Sequence, residues 1–246
     1  MINEGIVQKI VTSFLEHNNC HNVLEIGPGK GALTTYLTEE NLNLKAVEAD
    51  RDMAEYLIAH DTLLHDQIIN EDFLKLPLDK IFDQQQFSVI GNFPYNISSQ
   101  ILFRIKKYND IVPFMVGMFQ KEVAERIVSK EGSKTYGILS VLIQSMYDVK
   151  LLFNVSPGSF RPIPKVTSSV IMMKKKENYV LPCDEKVLTQ VVKLSFNQRR
   201  KMMRNSLKSI VTDAELFSHD YMTKRPEQMK LEDYYNLANL IENQNK

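Results

Sequence analysis

The feature that most constrains this chain is a short apolar run, Val23-Leu24-Glu25-Ile26, that meets Gly27-Pro28-Gly29-Lys30-Gly31 and then a helical pattern from Ala32 to about Leu37. A strand that ends in a glycine-rich turn and passes straight into a helix opens a β-α-β unit. In open α/β sheets the crevice at the carboxyl ends of the strands is where ligands bind. Glycines there let the backbone approach a ligand closely. The spacing is Gly-x-Gly-x-Gly, not the Gly-x-Gly-x-x-Gly of dinucleotide sites. Glu25, just ahead of the first glycine, suits a cationic ligand better than a pyrophosphate. S-adenosylmethionine (SAM), with its sulfonium and α-ammonium, is such a ligand. An ordinary glycine turn would look the same if nothing else supported the site.

The downstream pattern supports it. Leu44 to Val47 reads as a second strand that ends at Glu48, Met53 to Ile58 as a helix, and Gln67 to Ile69 as a short strand before Glu71-Asp72-Phe73. Phe87 to Ile90 reads as a strand that runs into Gly91-Asn92-Phe93-Pro94-Tyr95, followed by a helix over Ile97 to Lys107 and a buried strand over Val112 to Phe119. Lys121 to Val128 and Ile138 to Met146 read as helices, and Val149 to Val155 and Val166 to Met173 as closing strands. Ahead of all of these, a helix from about Ile2 to Leu15 carries Ile6, Ile10, Val11, Phe14 and Leu15 at helical spacing. Strands that alternate with helices predict an α/β fold with a doubly wound, mostly parallel sheet. After Lys174-Lys175-Lys176 only helical patterns remain, over about Asp184 to Phe196, Arg199 to Ile210 and Leu231 to Ile241. The expected division is residues 1–179 as the sheet domain and 180–246 as a small helical domain, and 246 residues suffice for both.

Composition narrows the class. Thirty basic and thirty acidic residues balance, so a nucleic-acid face must be local. Cys20 and Cys183 are too few for a disulfide framework and lack zinc-ligand spacing, so no metal site is expected. No apolar run is long enough to cross a bilayer, and the N-terminus lacks a signal-peptide pattern. A soluble, cytoplasmic protein without membrane partners is expected.

Three acids at successive strand ends form the predicted cofactor set. Glu25 supplies a favourable field for a cation. Glu48 lies about twenty residues after the glycines, as ribose-binding acids do. Asp72 lies where an adenine ring would sit and can accept its exocyclic amine. The predicted cofactor-binding residues are thus Glu25, Gly27, Gly29, Glu48, Asp72 and Asn92, and the cofactor is SAM.

Asn92-Phe93-Pro94-Tyr95 carries the predicted chemistry. The N6 lone pair of adenine is delocalised into the ring, so the amine is a poor nucleophile. Acceptors on both N6 hydrogens would favour a more pyramidal nitrogen. The Asn92 side-chain carbonyl and the Phe93 backbone carbonyl can be those acceptors. Pro94 fixes the backbone and restricts Phe93 to extended geometry. Tyr95 offers a face on which an extruded base can stack. No strong base or metal is needed, because the amine becomes acidic once alkylated, and positioning supplies most of the catalysis. Phe160, on the proline-rich loop, is a second stacking candidate. The predicted catalytic residues are Asn92, Pro94, Tyr95 and Phe160. The bland readings are a plain turn for the tetrapeptide and a packing aromatic for Phe160.

These residues resemble the KsgA-type small-subunit ribosomal RNA adenine dimethyltransferases over nearly the whole chain. Glu25-Ile26-Gly27-Pro28-Gly29 with Gly31, Val47-Glu48-Ala49-Asp50, and Asn92-Phe93-Pro94-Tyr95-Asn96-Ile97-Ser98-Ser99 resemble motifs shared with the macrolide-resistance (Erm) methyltransferases and mitochondrial transcription factor B. Three other stretches are more particular to the KsgA branch: Gln120 to Arg126 with Ser133-Lys134-Thr135-Tyr136-Gly137, Phe160 to Val166, and Phe196 to Leu207. The resemblance implies a Rossmann-like class I SAM-dependent methyltransferase domain with a small C-terminal helical RNA-recognition domain. It implies dimethylation of N6 on two adjacent adenosines in the 3′-terminal hairpin loop of 16S rRNA within the 30S subunit, at a cost of four SAM, by a monomer. Family members carry a basic stretch with a Gln-Asn/His-Phe-Leu motif ahead of the first helix. This chain starts at Met1-Ile2-Asn3-Glu4, and the expectation is a shortened start with weakened SAM binding.

From Lys193 to Lys208 the chain carries Lys193, Arg199, Arg200, Lys201, Arg204 and Lys208 and no acid. Such a run is often only a solvated face. In a neutral chain it also fits phosphate contacts, and Arg199, Arg200, Lys201 and Arg204 are the predicted RNA-binding residues. A loop adenine, unpaired already, would cost least to extrude. Large-subunit rRNA, duplex DNA, a non-catalytic assembly role and, more distantly, a dinucleotide-dependent oxidoreductase are the competing readings.

Overall fold

A computed structural model describes residues 3–244. Ile2, where the sequence starts the first helix, lies outside the described residues. Helix α1 (Glu4–Leu15) starts at Asn3, whose Oδ1 accepts from the Ile6 N–H at 3.1 Å, an N-cap that satisfies one of the free donors of the first turn. It buries Val7, Ile10, Val11 and Phe14, as the helical spacing predicts.

Seven strands follow: β1 (Asn22–Ile26), β2 (Asn43–Val47), β3 (Ile68–Ile69), β4 (Ser88–Asn92), β5 (Phe114–Gln120), β6 (Tyr147–Val155) and β7 (Ser168–Lys175). They form one sheet in the order β3-β2-β1-β4-β5-β7-β6. β1 is parallel to both β2 and β4, β2 to β3, and β4 to β5, while β7 is antiparallel to β5. Helices α2 (Thr34–Leu37), α3 (Arg51–Ala59) and α4 (Ser98–Lys107) lie between the parallel strands in sequence. From β1 the chain winds outward to β3, then returns to lay β4 on the other side of β1. That reversal between β1 and β4 is the topological switch point, where a crevice opens at the strand carboxyl ends. Ile26 pairs with Gly91, so Gly27 and Asn92 leave the sheet side by side.

Every residue of β1 is buried, and only Gln120 of β5 is not fully so, which fits the apolar character of β5 and makes Asn22 and Glu25 the polar exceptions of β1. Gly91 and Gly117 are register partners on β4 and β5. The ring of Phe93 fills the space above both: a methyl at Gly91 would come within 2.7 Å of it, and one at Gly117 would overlap it. Phe93 is 1% exposed and meets Phe119 edge-on, with centroids 4.9 Å apart.

The chain divides into two compact units, Met1–Ala124 with Asp148–Lys175, and Glu125–Tyr147 with Lys176–Lys246. The second unit begins at Glu125, and its second segment starts at Lys176; the sequence division places residues 125–147 with the sheet. The second unit contains most of α5 (Lys121–Val128), then α6 (Ile138–Gln144), α7 (Glu185–Asn197), α8 (Met203–Ser206), α9 (Ala214–Phe217) and α10 (Leu231–Asn243). Its core explains why residues 125–147 belong there. Tyr136 meets Phe196 edge-on at 5.9 Å, Phe196 stacks on Tyr234 at 6.1 Å, and Gly132 N–H donates to the Glu227 carbonyl at 2.7 Å.

The expected helix from Arg199 to Ile210 does not form. α7 ends at Asn197, the chain turns through Gln198 to Lys201, and only Met203 to Ser206 is helical. The apolar spacing of Met203 and Leu207 is real, and both are buried. The Met203 N–H, however, donates to the Lys224 carbonyl at 2.8 Å instead of to the preceding turn, so the helical ladder cannot run through it.

Candidate active site

The donor side is built on the glycine turn. Gly27 and Gly29 have φ of 68° and 56°, left-handed values that a side chain would strain. With Glu25, Pro28, Lys30, Ala32, Leu33, Met53, Asn92 and Arg161 they line a cavity of about 440 Å³. Glu25 is 1% exposed, and its Oε2 accepts from Thr34 Oγ1 at 2.7 Å. Burial pushes its carboxyl up to about 7; the Thr34 hydrogen bond opposes this and the nearby Glu48 adds to it. A buried acid that gives up its proton near neutrality is poised to ionise when a cation arrives. Glu48 is tied to the turn: its Oε2 accepts from the Gly29 N–H and its Oε1 from the Asp50 N–H, each at 3.0 Å, so the residue braces the glycines. Neither Glu48 nor Asp72 is among the residues lining the cavity; Asp72 is held in its own turn. Its Oδ1 accepts from the Leu74 N–H at 2.9 Å, its Oδ2 is 3.8 Å from Lys75 Nζ, and it closes the turn after β3.

The acceptor side is aromatic, with Arg161 as the charged residue among its described lining residues. Asn92, Phe93, Pro94, Tyr95, Phe160, Arg161, Pro162 and Pro164 line a second cavity of about 290 Å³. Asn92 lines both cavities. The two loops meet there: a methyl on Gly27 would sit 3.9 Å from Pro94 Cδ, in van der Waals contact. Tyr95 is pinned at its hydroxyl, which shares a 2.6 Å hydrogen bond with Ser168 Oγ at the start of β7, and its carbonyl accepts from Ser98 Oγ at 3.1 Å. The Phe93 N–H donates to the Met118 carbonyl at 3.2 Å, and its ring is held over Gly91 and Gly117. The backbone that bears both proposed N6 acceptors is therefore fixed from below. Phe160 is 8% exposed and belongs to the core, yet it also lines the acceptor cavity, so its packing and site readings hold together.

Sequence reading did not single out Thr34, Met53, Gly117, Arg161 or Ser168. None carries a local signal, because each is brought in by strand register or loop return. The predicted RNA-binding residues lie in the second unit. Arg200, Lys201 and Arg204 are exposed, whereas Arg199 is half-buried and donates to the Ser133 carbonyl at 3.1 Å.

Comparison with known proteins bears on this geometry. Residues 1–243 match the family model for ribosomal RNA adenine dimethylase. The ribosomal RNA small subunit methyltransferase A of Flavobacterium johnsoniae is 49% identical over 96% of this chain and 90% of its own length. That of Bacteroides thetaiotaomicron is 50% identical over 89% of this chain and 83% of its own. Among solved structures, a dimethyladenosine transferase from Plasmodium falciparum superimposes with a TM-score of 0.82 at 23% identity, over 100% of this chain and 97% of its own. The 23S rRNA methyltransferase ErmE superimposes with a TM-score of 0.67 at 19% identity, over 96% of this chain and 98% of its own. The fold is that of the class I SAM methyltransferases.

Proposed function

From the premise that this chain belongs to the ribosomal RNA adenine dimethylase family, and so is an rRNA methyltransferase, we propose that it dimethylates N6 of two adjacent adenosines in the 3′-terminal hairpin loop of 16S rRNA within the 30S subunit. It works as a cytoplasmic monomer with SAM as methyl donor. One observation carries the reading: Asn92 borders both cavities.

The donor set fits SAM. A buried carboxyl faces the cavity with an adjustable proton, two glycines open a close approach, and Leu33 and Met53 supply apolar walls. SAM supplies an already activated methyl on a sulfonium. Glu25 would ionise to match its positive charge, Gly27 and Gly29 would admit its methionine part, and Glu48, bracing the glycine turn, would accept a ribose hydroxyl. The part assigned to Asp72 is accepting the exocyclic amine of the donor's adenine, through lone pairs its turn contacts leave open.

On the acceptor side, Tyr95 and Phe160 stack the extruded adenine. The Asn92 Oδ1 and the Phe93 carbonyl accept the two N6 hydrogens and keep the nitrogen lone pair available. Pro94 holds that carbonyl in line. The proton lost from the alkylated nitrogen leaves to solvent. Arg199, Arg200, Lys201 and Arg204 take RNA phosphates, with residues 180–246 as the RNA-recognition part.

The test is incubation with labelled SAM and, separately, unmethylated 30S subunits, 50S subunits and duplex DNA, followed by mapping of the modified bases. Two adjacent N6,N6-dimethyladenosines in the 30S hairpin loop are expected. Label only in 50S subunits or DNA would overturn the reading.

A further inference from the structure

Arg161 is exposed, follows the core-anchored Phe160 and precedes Pro162, and lines both the donor and the acceptor cavity. Phe160 fixes the start of this segment, with its ring in the core and its N–H donating to the Pro157 carbonyl at 3.2 Å. The guanidinium is thus carried on anchored backbone yet makes no ion pair or hydrogen bond with the described residues. An exposed arginine at the rim of a site, with its five donors unspent, is equipped to take a planar or tetrahedral oxyanion.

Two oxyanions come near such a site: the carboxylate of the methyl donor and a phosphodiester of the RNA. The lining residues decide between them. Among the described residues lining the acceptor cavity, Arg161 alone is charged; the others are Asn92, three aromatics and three prolines. The donor cavity has Lys30 as well. An extruded nucleotide cannot enter the acceptor cavity without bringing its flanking phosphates to the rim. Resting on the reading above, we infer that Arg161 is a substrate-binding residue that clamps a phosphodiester next to the extruded adenosine. It fixes the nucleotide's depth against Asn92 and so contributes to the selection of a flipped-out base over a free nucleoside.

The experiment compares wild type with Arg161→Ala and Arg161→Lys, using unmethylated 30S subunits and SAM over a range of salt. Steady-state methylation is read alongside SAM affinity by calorimetry. For Arg161→Ala, the KM for 30S subunits should rise about ten-fold, with a log KM against log salt slope shallower by about one. The SAM dissociation constant should stay within two-fold, and Arg161→Lys should recover the salt slope and part of the KM. The side chain is exposed, so folding should be unaffected, which circular dichroism checks. An unchanged KM and slope would overturn the proposal. So would a loss confined to SAM affinity, which would place Arg161 on the donor carboxylate. If wild type itself fails to methylate 30S subunits, the functional reading fails; if only the Arg161 comparison is flat, the clamp alone fails.

Discussion

The donor and acceptor halves of the site adjoin at Asn92 but are built from opposite materials. The donor half places two carboxylates, Glu25 and Glu48, behind a glycine turn, and one of them is buried and raised to about 7. The acceptor half has no acid. It has an amide, three aromatic rings and three prolines, with Arg161 at its rim. Acids suit a donor that arrives carrying positive charge. A neutral, stacked, proline-stiffened pocket suits a flat neutral base whose amine must stay unprotonated. On the reading proposed above, the difference puts the catalytic advantage in placement at the seam between the halves. The two halves are also stiffened differently. Carboxylate hydrogen bonds hold the glycine turn, through Glu48 to Gly29 and Asp50. Packing holds the acceptor loop, through Phe93 over Gly91 and Gly117.

Substitutions on each side should separate cleanly. The largest effect belongs to the seam. Asn92→Ala should lower kcat on 30S subunits by about 10²–10³-fold, the scale of losing one hydrogen bond that acts at the transition state. It should leave SAM affinity within a few-fold in calorimetry; a matching loss of SAM affinity would mean that the residue serves the donor alone.

Next comes the support under the loop. Gly117→Ala forces the Phe93 ring to move and should cost roughly 1–3 kcal/mol of stability from overpacking. It should also lower kcat by up to about 100-fold through displacement of the Asn92 and Phe93 acceptors. Thermal unfolding and single-turnover kinetics read the two effects. Normal turnover in a destabilised protein would show that Phe93 is only core.

The donor half should respond to pH. Glu25 keeps its proton in the folded protein between about pH 4.5 and 7, where the unfolded chain has released it. Stability from the neutral, buried acid is therefore fully present below that window and is lost as pH rises through 7. A bound cation favours the ionised form. SAM affinity should accordingly rise about ten-fold from pH 6 to pH 8 with proton release, and Glu25→Gln should flatten the profile. Calorimetry in buffers of different ionisation enthalpy measures both.

The smallest effect lies outside both halves. Charge reversal at Arg200 and Lys201 should weaken RNA binding and reduce its salt dependence by about one unit of slope per lost phosphate contact, with SAM binding unchanged. Filter binding across a salt series checks this. Arg199 is a poorer probe, because its guanidinium already serves the Ser133 carbonyl.

The donor half was largely legible in sequence, because its signals are local. A strand, three glycines and an acid ahead of them identify the turn, and Glu48 ends the next strand. Asn92 to Tyr95 was legible for the same reason. What the sequence could not disclose depends on register and return. Gly91 faces Gly117 only because β4 and β5 pair as they do. Thr34 reaches Glu25 across nine residues, and Ser168 reaches Tyr95 across 73. Residues 125–147 read as a continuation of the sheet domain because their partners, Phe196, Arg199 and Glu227, lie far along the chain. The Arg199 to Ile210 helix failed because one backbone donor, at Met203, found a tertiary acceptor that no periodicity reveals.

The most direct measurement is a crystal structure with a bisubstrate ligand that joins a SAM-like donor to N6 of adenosine. The account predicts the donor end against Gly27, Gly29 and Met53, the purine between Tyr95 and Phe160, and the linking nitrogen within hydrogen-bond reach of Asn92 Oδ1. A purine bound elsewhere, with Asn92 and Tyr95 untouched, would contradict it.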